Sequence, residues 1–178
     1  FKGVDASRVR FLNATEQLSL LGGCEGDFRQ LVQAALFTGA RYGELTRLRV
    51  EDFNPSTGQV FIQFSKSGHS RHIKLTSGAV AWFSSVTTGR PGQELLLKRS
   101  GVHRTTRKDK VSADAWATYD QVYCMARACE RAGLQALTFH ELRHTYASFL
   151  LNQGMPLSFV AKHLGHTSTQ MVEKYYGH

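Results

Sequence analysis

The spacing of apolar residues changes along this chain, and that change limits what it can fold into. In the first quarter, apolar side chains recur three and four positions apart, as on one face of a helix: Phe28, Leu31, Val32, Ala35 and Leu36. Val60, Ile62 and Phe64 instead alternate with their neighbours, which predicts a strand with one buried face. Residues 71–75 are expected to return antiparallel to it. The predicted fold class is α+β, mainly α-helical with a small antiparallel β-sheet.

Capping residues and glycines predict where the helices begin and end. Asn13-Ala14-Thr15-Glu16 has the form of a capping box, so a helix is expected from there to Gly22-Gly23. Asp27 is expected to cap a second helix that ends at Gly39, with a short helix starting near Tyr42. Further helices are predicted at Gly78–Val86, at Ser112–Arg131, after a Thr138 cap, from Pro156 to Gly165, and from Gln170 to about Tyr175.

Size and charge favour one domain with a polyanionic partner. The chain has 178 residues and 42% apolar content, enough for a single core. Its 22 basic against 14 acidic residues give a net charge of +8, which favours nucleic acid or an anionic surface. No apolar run approaches the roughly 18–20 residues of a membrane span, so no membrane partner is expected.

The cysteines and the first residue predict the cellular setting. Cys24, Cys124 and Cys129 are odd in number and lack zinc-ribbon spacing, so we expect reduced thiols and a cytoplasmic protein. Phe1 is not an initiator methionine and no signal peptide follows it, so residues 1–178 are expected to be one domain excised from a longer protein.

The sequence His140-Glu141-Leu142-Arg143-His144 spells the H-E-x-x-H motif of zinc peptidases. On a helix its two histidines would share one face. However, Arg143 would place a guanidinium beside the metal. The extended motif also needs Gly and His where this chain has Ala147 and Leu150. A zinc hydrolase is therefore the third hypothesis, with Glu173 left open as a ligand, and we predict neither a metal nor a cofactor.

Read in order, four sequence boxes resemble the catalytic domain of tyrosine recombinases, the phage-integrase family. They are Thr38–Leu45, His140–His144, Leu164-Gly165-His166 and a final tyrosine. The resemblance covers nearly the whole chain. It implies the DNA breaking-rejoining fold and the C-terminal catalytic domain of a longer recombinase, without its N-terminal core-binding domain.

The resemblance also implies a role for each matching residue. Arg41 and Arg143 would clamp the non-bridging oxygens of a phosphodiester, and His140 and His166 would donate hydrogen bonds to it. His140 could also accept the proton of the nucleophile. The positive cluster is expected to favour a tyrosine phenolate.

Three further residues complete the expected site. Lys66 matches the family's lysine that protonates the 5′-hydroxyl leaving group, with Lys74 as the nearest competitor. Glu44 and His144 are expected to support the basic residues rather than to react. The remaining histidines, among them His163, are expected in solvent or in a groove.

Two tyrosines compete for the role of nucleophile. The common family spacing from His166 selects Tyr175, whereas the ending Tyr176-Gly177-His178 matches the Tyr-x-His that often follows the nucleophile. We predict Tyr176, with Tyr175 as the alternative.

The resemblance implies a function and its partners. The predicted activity is DNA strand cleavage and rejoining through a 3′-phosphotyrosyl intermediate, without metal or ATP. The expected partners are double-stranded DNA and, in the full-length protein, other recombinase subunits in a bacterial or phage-derived setting. A non-catalytic DNA-binding module of the same fold is the second hypothesis.

Overall fold

Eight α-helices and one three-stranded sheet make up the part of the chain that the structure describes, residues 9–63, 68–100 and 114–176. The structure is a computed structural model. It confirms the predicted fold class. The elements are α1 (Ala14–Gly23), α2 (Gly26–Thr38), α3 (Tyr42–Leu45), a 3₁₀ turn (Val50–Asp52), β1 (Phe53–Asn54), β2 (Gln59–Ile62), β3 (Arg71–Lys74), α4 (Ser77–Thr87), α5 (Asp120–Ala132), α6 (His140–Asn152), α7 (Leu157–Leu164) and α8 (Gln170–Tyr176).

The sheet contains the predicted hairpin and one strand that was not predicted. β2 pairs antiparallel with β3, with Val60 opposite Ile73 and Ile62 opposite Arg71, and these four side chains are buried. β1 has two residues and pairs on the other side of β2. Such a short strand leaves too little alternation in the sequence to be recognised. Phe64, expected to continue β2, lies outside the described residues.

The predicted cap of α1 is confirmed, and two other caps were wrong. The Asn13 side chain accepts from the Glu16 amide at 2.9 Å, and the Glu16 carboxylate accepts from the Asn13 amide at 2.9 Å. Asp27 lies within the first turn of α2, where its carboxylate accepts a 2.5 Å bond from the Ser100 amide. Thr138 does not cap α6 with its side chain; its amide donates to the Glu141 carboxylate at 2.5 Å.

The helix predicted at Ser112–Arg131 begins later than expected. Residues 112 and 113 lie outside the described residues, residues 114–119 form a bend, turns and extended chain, and α5 starts at Asp120. The Asp120 carboxylate accepts from the Ala117 amide at 2.6 Å and pairs with Arg99 at 2.6 Å. Asp120 lies in the first turn of α5, where a negative charge is favourable at the helix N-terminus.

Two buried clusters support the elements that carry the predicted site. The larger includes side chains of α1, α2, α5 and the sheet, with α1 packed on α5 and α2 packed on α6. The smaller joins α6, α7 and α8 through Tyr146, Leu150, Val160, Leu164 and Val172. The three cysteines are free thiols. None of the helices in the described ranges is both long and apolar enough to cross a bilayer.

Gly39 lets the end of α2 approach α6 closely. It caps α2 in the left-handed region with φ of 63°, and a Cβ there would lie 2.2 Å from Cδ1 of Tyr146. Only glycine satisfies both conditions without strain. The Thr38–Leu45 box is therefore held directly against the helix that carries His140 and Arg143.

We predict that Gly39→Ala destabilises the domain more than Gly133→Ala. Both glycines cap helices with positive φ, but a Cβ at Gly133 meets nothing within 4 Å. We expect Gly133→Ala to lower the free energy of unfolding by about 1 kcal/mol for the backbone alone, and Gly39→Ala to cost about 2 kcal/mol more because of the clash. Urea unfolding measures both, and equal losses would show that the Tyr146 contact does not constrain residue 39.

Candidate active site

Arg143 lies where three segments of the chain meet. It stands in the first turn of α6, and the residue is 4% exposed. Nη1 donates to the Gly39 carbonyl at 2.9 Å, and Nη2 donates to the Leu164 carbonyl. The two carbonyls come from the ends of α2 and α7. One buried cation therefore fixes the three predicted boxes relative to one another.

Arg41 is the more accessible of the two predicted clamp residues. It is the residue before α3, its side chain is 26% exposed, and Nη1 lies 3.3 Å from Oε1 of Glu44. The Arg41 amide also donates to Oε2 of Glu44 at 2.8 Å. Together with His140 and Arg143, Arg41 lines a cleft of about 520 Å³. The structure thus brings three of the predicted residues to one opening.

Glu44 is buried and shared between two arginines. Arg71, on β3, donates Nη1 to Oε1 and Nη2 to Oε2 of Glu44, both at 2.9 Å. Burial acts to raise the pKa of Glu44, but Arg71 and then Arg41 outweigh it, so the pKa lies below its ordinary value of 4.5. Glu44 is therefore an ionised carboxylate that holds Arg41 in place.

Arg71 was missed at the sequence level, although a signal was present. Residues 71, 73 and 75 share the buried face of the strand alternation, so the pattern placed an arginine in the core. A buried arginine requires a carboxylate partner or several carbonyls. Glu44 is the carboxylate partner of Arg71.

His166 and His140 are held neutral beside the arginines. His166 Nε2 lies 3.4 Å from Arg143 Nη2. Burial, followed by the charges of Arg143 and Arg41, lowers the pKa of His166 to about 4. The same causes, in the same order, lower the pKa of His140. Burial and the charge of Arg41 also lower the pKa of Arg143 to about 9, so its guanidinium stays protonated at neutral pH.

His144 contacts the predicted nucleophile. Its Nδ1 lies 2.6 Å from the Tyr176 hydroxyl oxygen, and that oxygen is also 3.3 Å from the His144 carbonyl oxygen. The His144 and His140 rings meet edge to face, with centroids 4.8 Å apart. Burial, then His140 and Arg143, lower the pKa of His144 to about 4. A neutral imidazole therefore faces the phenol.

The expected phenolate is not the resting form of Tyr176. Burial raises the pKa of its hydroxyl above the ordinary value of 10.0, and the charge of Arg143 only partly opposes this. The prediction considered the positive cluster and overlooked the cost of burying a charged phenol. Tyr176 is a protonated phenol while the cleft holds no anion.

Tyr175 occupies a different environment. Its side chain is 36% exposed, and its ring lies 5.6 Å from the His144 ring and 5.6 Å from the Lys174 ammonium nitrogen. Tyr176, in contrast, is partly buried and packs against the α6–α8 cluster. The two candidates are therefore distinguished by burial and by the 2.6 Å contact of Tyr176 with His144.

The sequence also made predictions for two lysines and one histidine. Lys66 lies outside the described residues. The Lys74 ammonium donates to the Thr57 carbonyl at 2.8 Å, in the turn that connects β1 and β2. The prediction that His163 faces solvent or a groove was wrong, because His163 is buried and accepts the Lys74 amide at Nε2.

The side chains of the H-E-x-x-H motif are not arranged as a zinc site. Glu141 bonds to the Thr138 amide and His144 to Tyr176. Across residues 9–63, 68–100 and 114–176, no three His, Cys, Asp or Glu side chains are grouped so that they could hold a metal ion. Glu173, left open as a third ligand, bonds to the Thr169 hydroxyl at 2.6 Å.

The fold matches that of solved recombinases. The integrase of transposon Tn1549, in complex with transposon right end DNA, superposes with a TM-score of 0.77 at 19% identity, over 99% of this chain and 64% of that one. The catalytic domain of bacteriophage HP1 integrase gives a TM-score of 0.68 at 20% identity, over 95% and 88% of the two chains. The fold is therefore that of a tyrosine recombinase catalytic domain.

The sequence places the chain in a family. The sequence profile of the phage integrase family matches residues 10–178, and the chain belongs to that family. The integrase of Salmonella phage P22 is 28% identical over 170 residues, which is 94% of this chain and 43% of the relative. The tyrosine recombinase XerC of Pelobacter propionicus is 29% identical over 153 residues, or 83% and 46%. The chain spans about half the length of these relatives.

The histidine cluster predicts acid destabilisation well above the carboxylate range. Folding lowers the pKa of His144 and His166 from 6.5 to about 4, so the unfolded chain binds more protons between these values. Stability should therefore fall as the pH drops from about 6.5 to 4, with about 1.4 kcal/mol per pH unit for each proton taken up. Urea unfolding across this range measures the slope. His144→Asn should reduce the number of protons taken up on unfolding by about one, which lowers the slope. A stability that does not change with pH in this range would contradict the lowered pKa of the two histidines.

Proposed function

We propose that this chain is the catalytic domain of a site-specific DNA recombinase that cleaves and rejoins strands through a 3′-phosphotyrosyl intermediate. The observation that carries the proposal is the convergence of Arg41, Arg143, His140 and His166 beside the phenol of Tyr176. Membership of the phage integrase family supports it, as do relatives named integrase and tyrosine recombinase. In this proposal residues 1–178 are one domain of a longer enzyme.

The charge balance of the site favours a phosphodiester. The guanidiniums of Arg41 and Arg71 share the carboxylate of Glu44, and the charge of Arg143 lies nearby. Burial, and then this excess of positive charge, lowers the pKa of Arg143, His140 and His166. A bound anion opposes the charge contribution to these shifts, because it stabilises the protonated forms. The two histidines then become donors to the phosphate oxygens.

Tyr176 is proposed as the nucleophile and His144 as the group that positions it. When a phosphate occupies the cleft, attack by the Tyr176 oxygen forms the phosphotyrosyl ester and releases the 5′-oxygen of the strand. The phenol proton leaves to the neutral imidazole of His144, which the phenol already contacts. The ester keeps the energy of the broken bond, so rejoining requires no ATP.

Lys66 is proposed to protonate the 5′-oxygen. It belongs to the connection between β2 and β3. The competitor Lys74 donates its ammonium to Thr57, which argues against its selection. The two arginines supply the positive charge that a divalent cation provides in other phosphoryl-transfer sites.

Double-stranded DNA and neighbouring subunits are the proposed partners. The related Tn1549 integrase was solved with transposon DNA, and lambda integrase was solved as a dimer on a core site. The net charge of +8 supports the same partner. A protein that acts on bacterial or phage DNA is proposed to work in the cytoplasm.

We predict that Tyr176→Phe abolishes covalent attachment to DNA and that Tyr175→Phe does not. The substrate is a nicked suicide duplex in EDTA, and the adduct is detected as a shifted band in denaturing gels. An adduct formed by Tyr176→Phe would transfer the role to Tyr175. If the wild type binds DNA without any adduct, the non-catalytic DNA-binding module is the better description. Adduct lost only in EDTA would revive the metal-dependent hypothesis.

We also predict that Arg41→Ala reduces the salt dependence of DNA binding. Each phosphate contact contributes roughly one unit to the slope of log K against log salt. Losing the accessible clamp arginine should lower the slope by about one unit. Arg90→Ala is the matched control, since Arg90 pairs with Glu94 and caps carbonyls away from the cleft. Equal slopes for Arg41→Ala and the wild type would remove Arg41 from the phosphate site.

A further inference from the structure

Arg71 donates hydrogen bonds to two groups that flank the candidate site. It is 8% exposed at the start of β3. Two donors form the bidentate pair with Glu44, and Nε donates to the His163 carbonyl at 2.7 Å. Glu44 follows Arg41 by one helical turn, and His163 precedes His166 by three residues. One side chain therefore connects a strand to both sides of the cleft.

On one side, Arg71 fixes the carboxylate that holds Arg41. Glu44 accepts from the amide and the guanidinium of Arg41 while both its oxygens also accept from Arg71. The planar fork of Arg71 determines the plane of the carboxylate. Without it, the plane of the Glu44 carboxylate is no longer fixed, and the Arg41 guanidinium stays in the cleft but loses its alignment.

On the other side, Arg71 packs against the turn that carries His166. Gly165 ends α7 with φ of 73°, and a Cβ there would lie 2.9 Å from Arg71 Nη1 and 3.1 Å from its Cζ. The Lys74 amide donates to His163 Nε2 at 3.3 Å, so β3 contacts the end of α7 twice. The position of the His166 backbone thus depends on β3 through Arg71.

We propose that Arg71 is the positioning residue of the site, which sets the Arg41 clamp through Glu44 and the His166 turn through the end of α7. It does not touch the substrate. The inference rests on the proposed strand cleavage, and it adds a residue that acts through its neighbours. Replacing Arg71 should therefore slow the chemical step while leaving DNA association nearly unchanged.

The experiment compares Arg71→Met and Arg71→Lys with Arg90→Met and Arg90→Lys. Arg90 is the matched control, because it also pairs with a glutamate and donates to the carbonyls of Val86, Leu95 and Leu96. Single-turnover cleavage of the suicide duplex is measured and corrected for the folded fraction from circular dichroism. Non-covalent binding is measured at the same salt with each substitution in the Tyr176→Phe background.

We expect Arg71→Met to reduce the cleavage rate by about 100-fold, the size of effect that a misplacement near 1 Å produces. DNA affinity should change by less than about 3-fold, since Arg41 and Arg143 keep their charges. Arg71→Lys should not restore the rate, because an ammonium cannot form the fork. Both Arg90 variants should cleave at the wild-type rate.

Three outcomes would overturn the inference. They are a wild-type rate in Arg71→Lys, a loss of affinity as large as the loss of rate, and an equal loss of rate in Arg90→Met.

A wild type that forms no adduct would refute the proposed function instead. In that case the His166 ring signal in NMR spectra of the DNA-free protein, assigned with His166→Gln, still tests the geometry. The His166 ring signal should shift in Arg71→Lys and keep its wild-type position in Arg90→Lys. A signal at the wild-type position in both variants would refute the proposal. If Arg71→Met does not fold, the cleavage rate and the DNA affinity are both measured on Arg71→Lys.

Discussion

The hydrogen bonds from Arg143 to the carbonyls of Gly39 and Leu164 hold together the parts of the fold on which the site depends. Each carbonyl belongs to the end of a helix, where main-chain acceptors have no partner within the helix. A buried guanidinium meets that need, and in return the carbonyls compensate part of its desolvation. In the proposed function, Arg143 therefore serves the fold and the chemistry with different N–H groups. Its five donors allow this double use, which a lysine could not provide.

The site concentrates positive charge that its carboxylate only partly balances. Arg41 and Arg71 share the carboxylate of Glu44, Arg143 lies nearby, and burial keeps the nearby histidines and the Tyr176 phenol neutral. In the proposed function, these groups are arranged for an anionic substrate. The same arrangement makes the domain sensitive to mild acid, because protonating any of the histidines adds charge to the excess already present. The excess positive charge thus lowers the stability of the domain in mild acid, and in the proposed function it also favours a bound phosphate.

The sequence was sufficient for the fold class, which the apolar spacing predicted. It was also sufficient for the grouping of Arg41, His140, Arg143 and His166, because their boxes resemble those of tyrosine recombinases. It also placed most helix ends, where Asn13, Gly39 and Gly165 act on adjacent backbone. Long-range contacts were not predictable in this way. Arg71 and His163 owe their burial to a contact between β3 and α7 that no local pattern encodes. The Asp27 cap failed because the Ser100 amide donates to its carboxylate instead, and the Thr138 cap failed because Phe139 is the residue before α6, with no side-chain cap bond.

The anchors of Arg143 are main-chain oxygens, and this affects how the sequence can drift. Any residue at position 164 offers the same carbonyl, so its side chain is free to follow changes in the neighbouring core. Position 39 has no such freedom, because the ring of Tyr146 fills the space that a side chain would need. Substitutions can therefore accumulate around the site while its geometry persists. A fold shared with solved recombinases at 19% and 20% identity fits this pattern of few fixed positions among many replaceable ones.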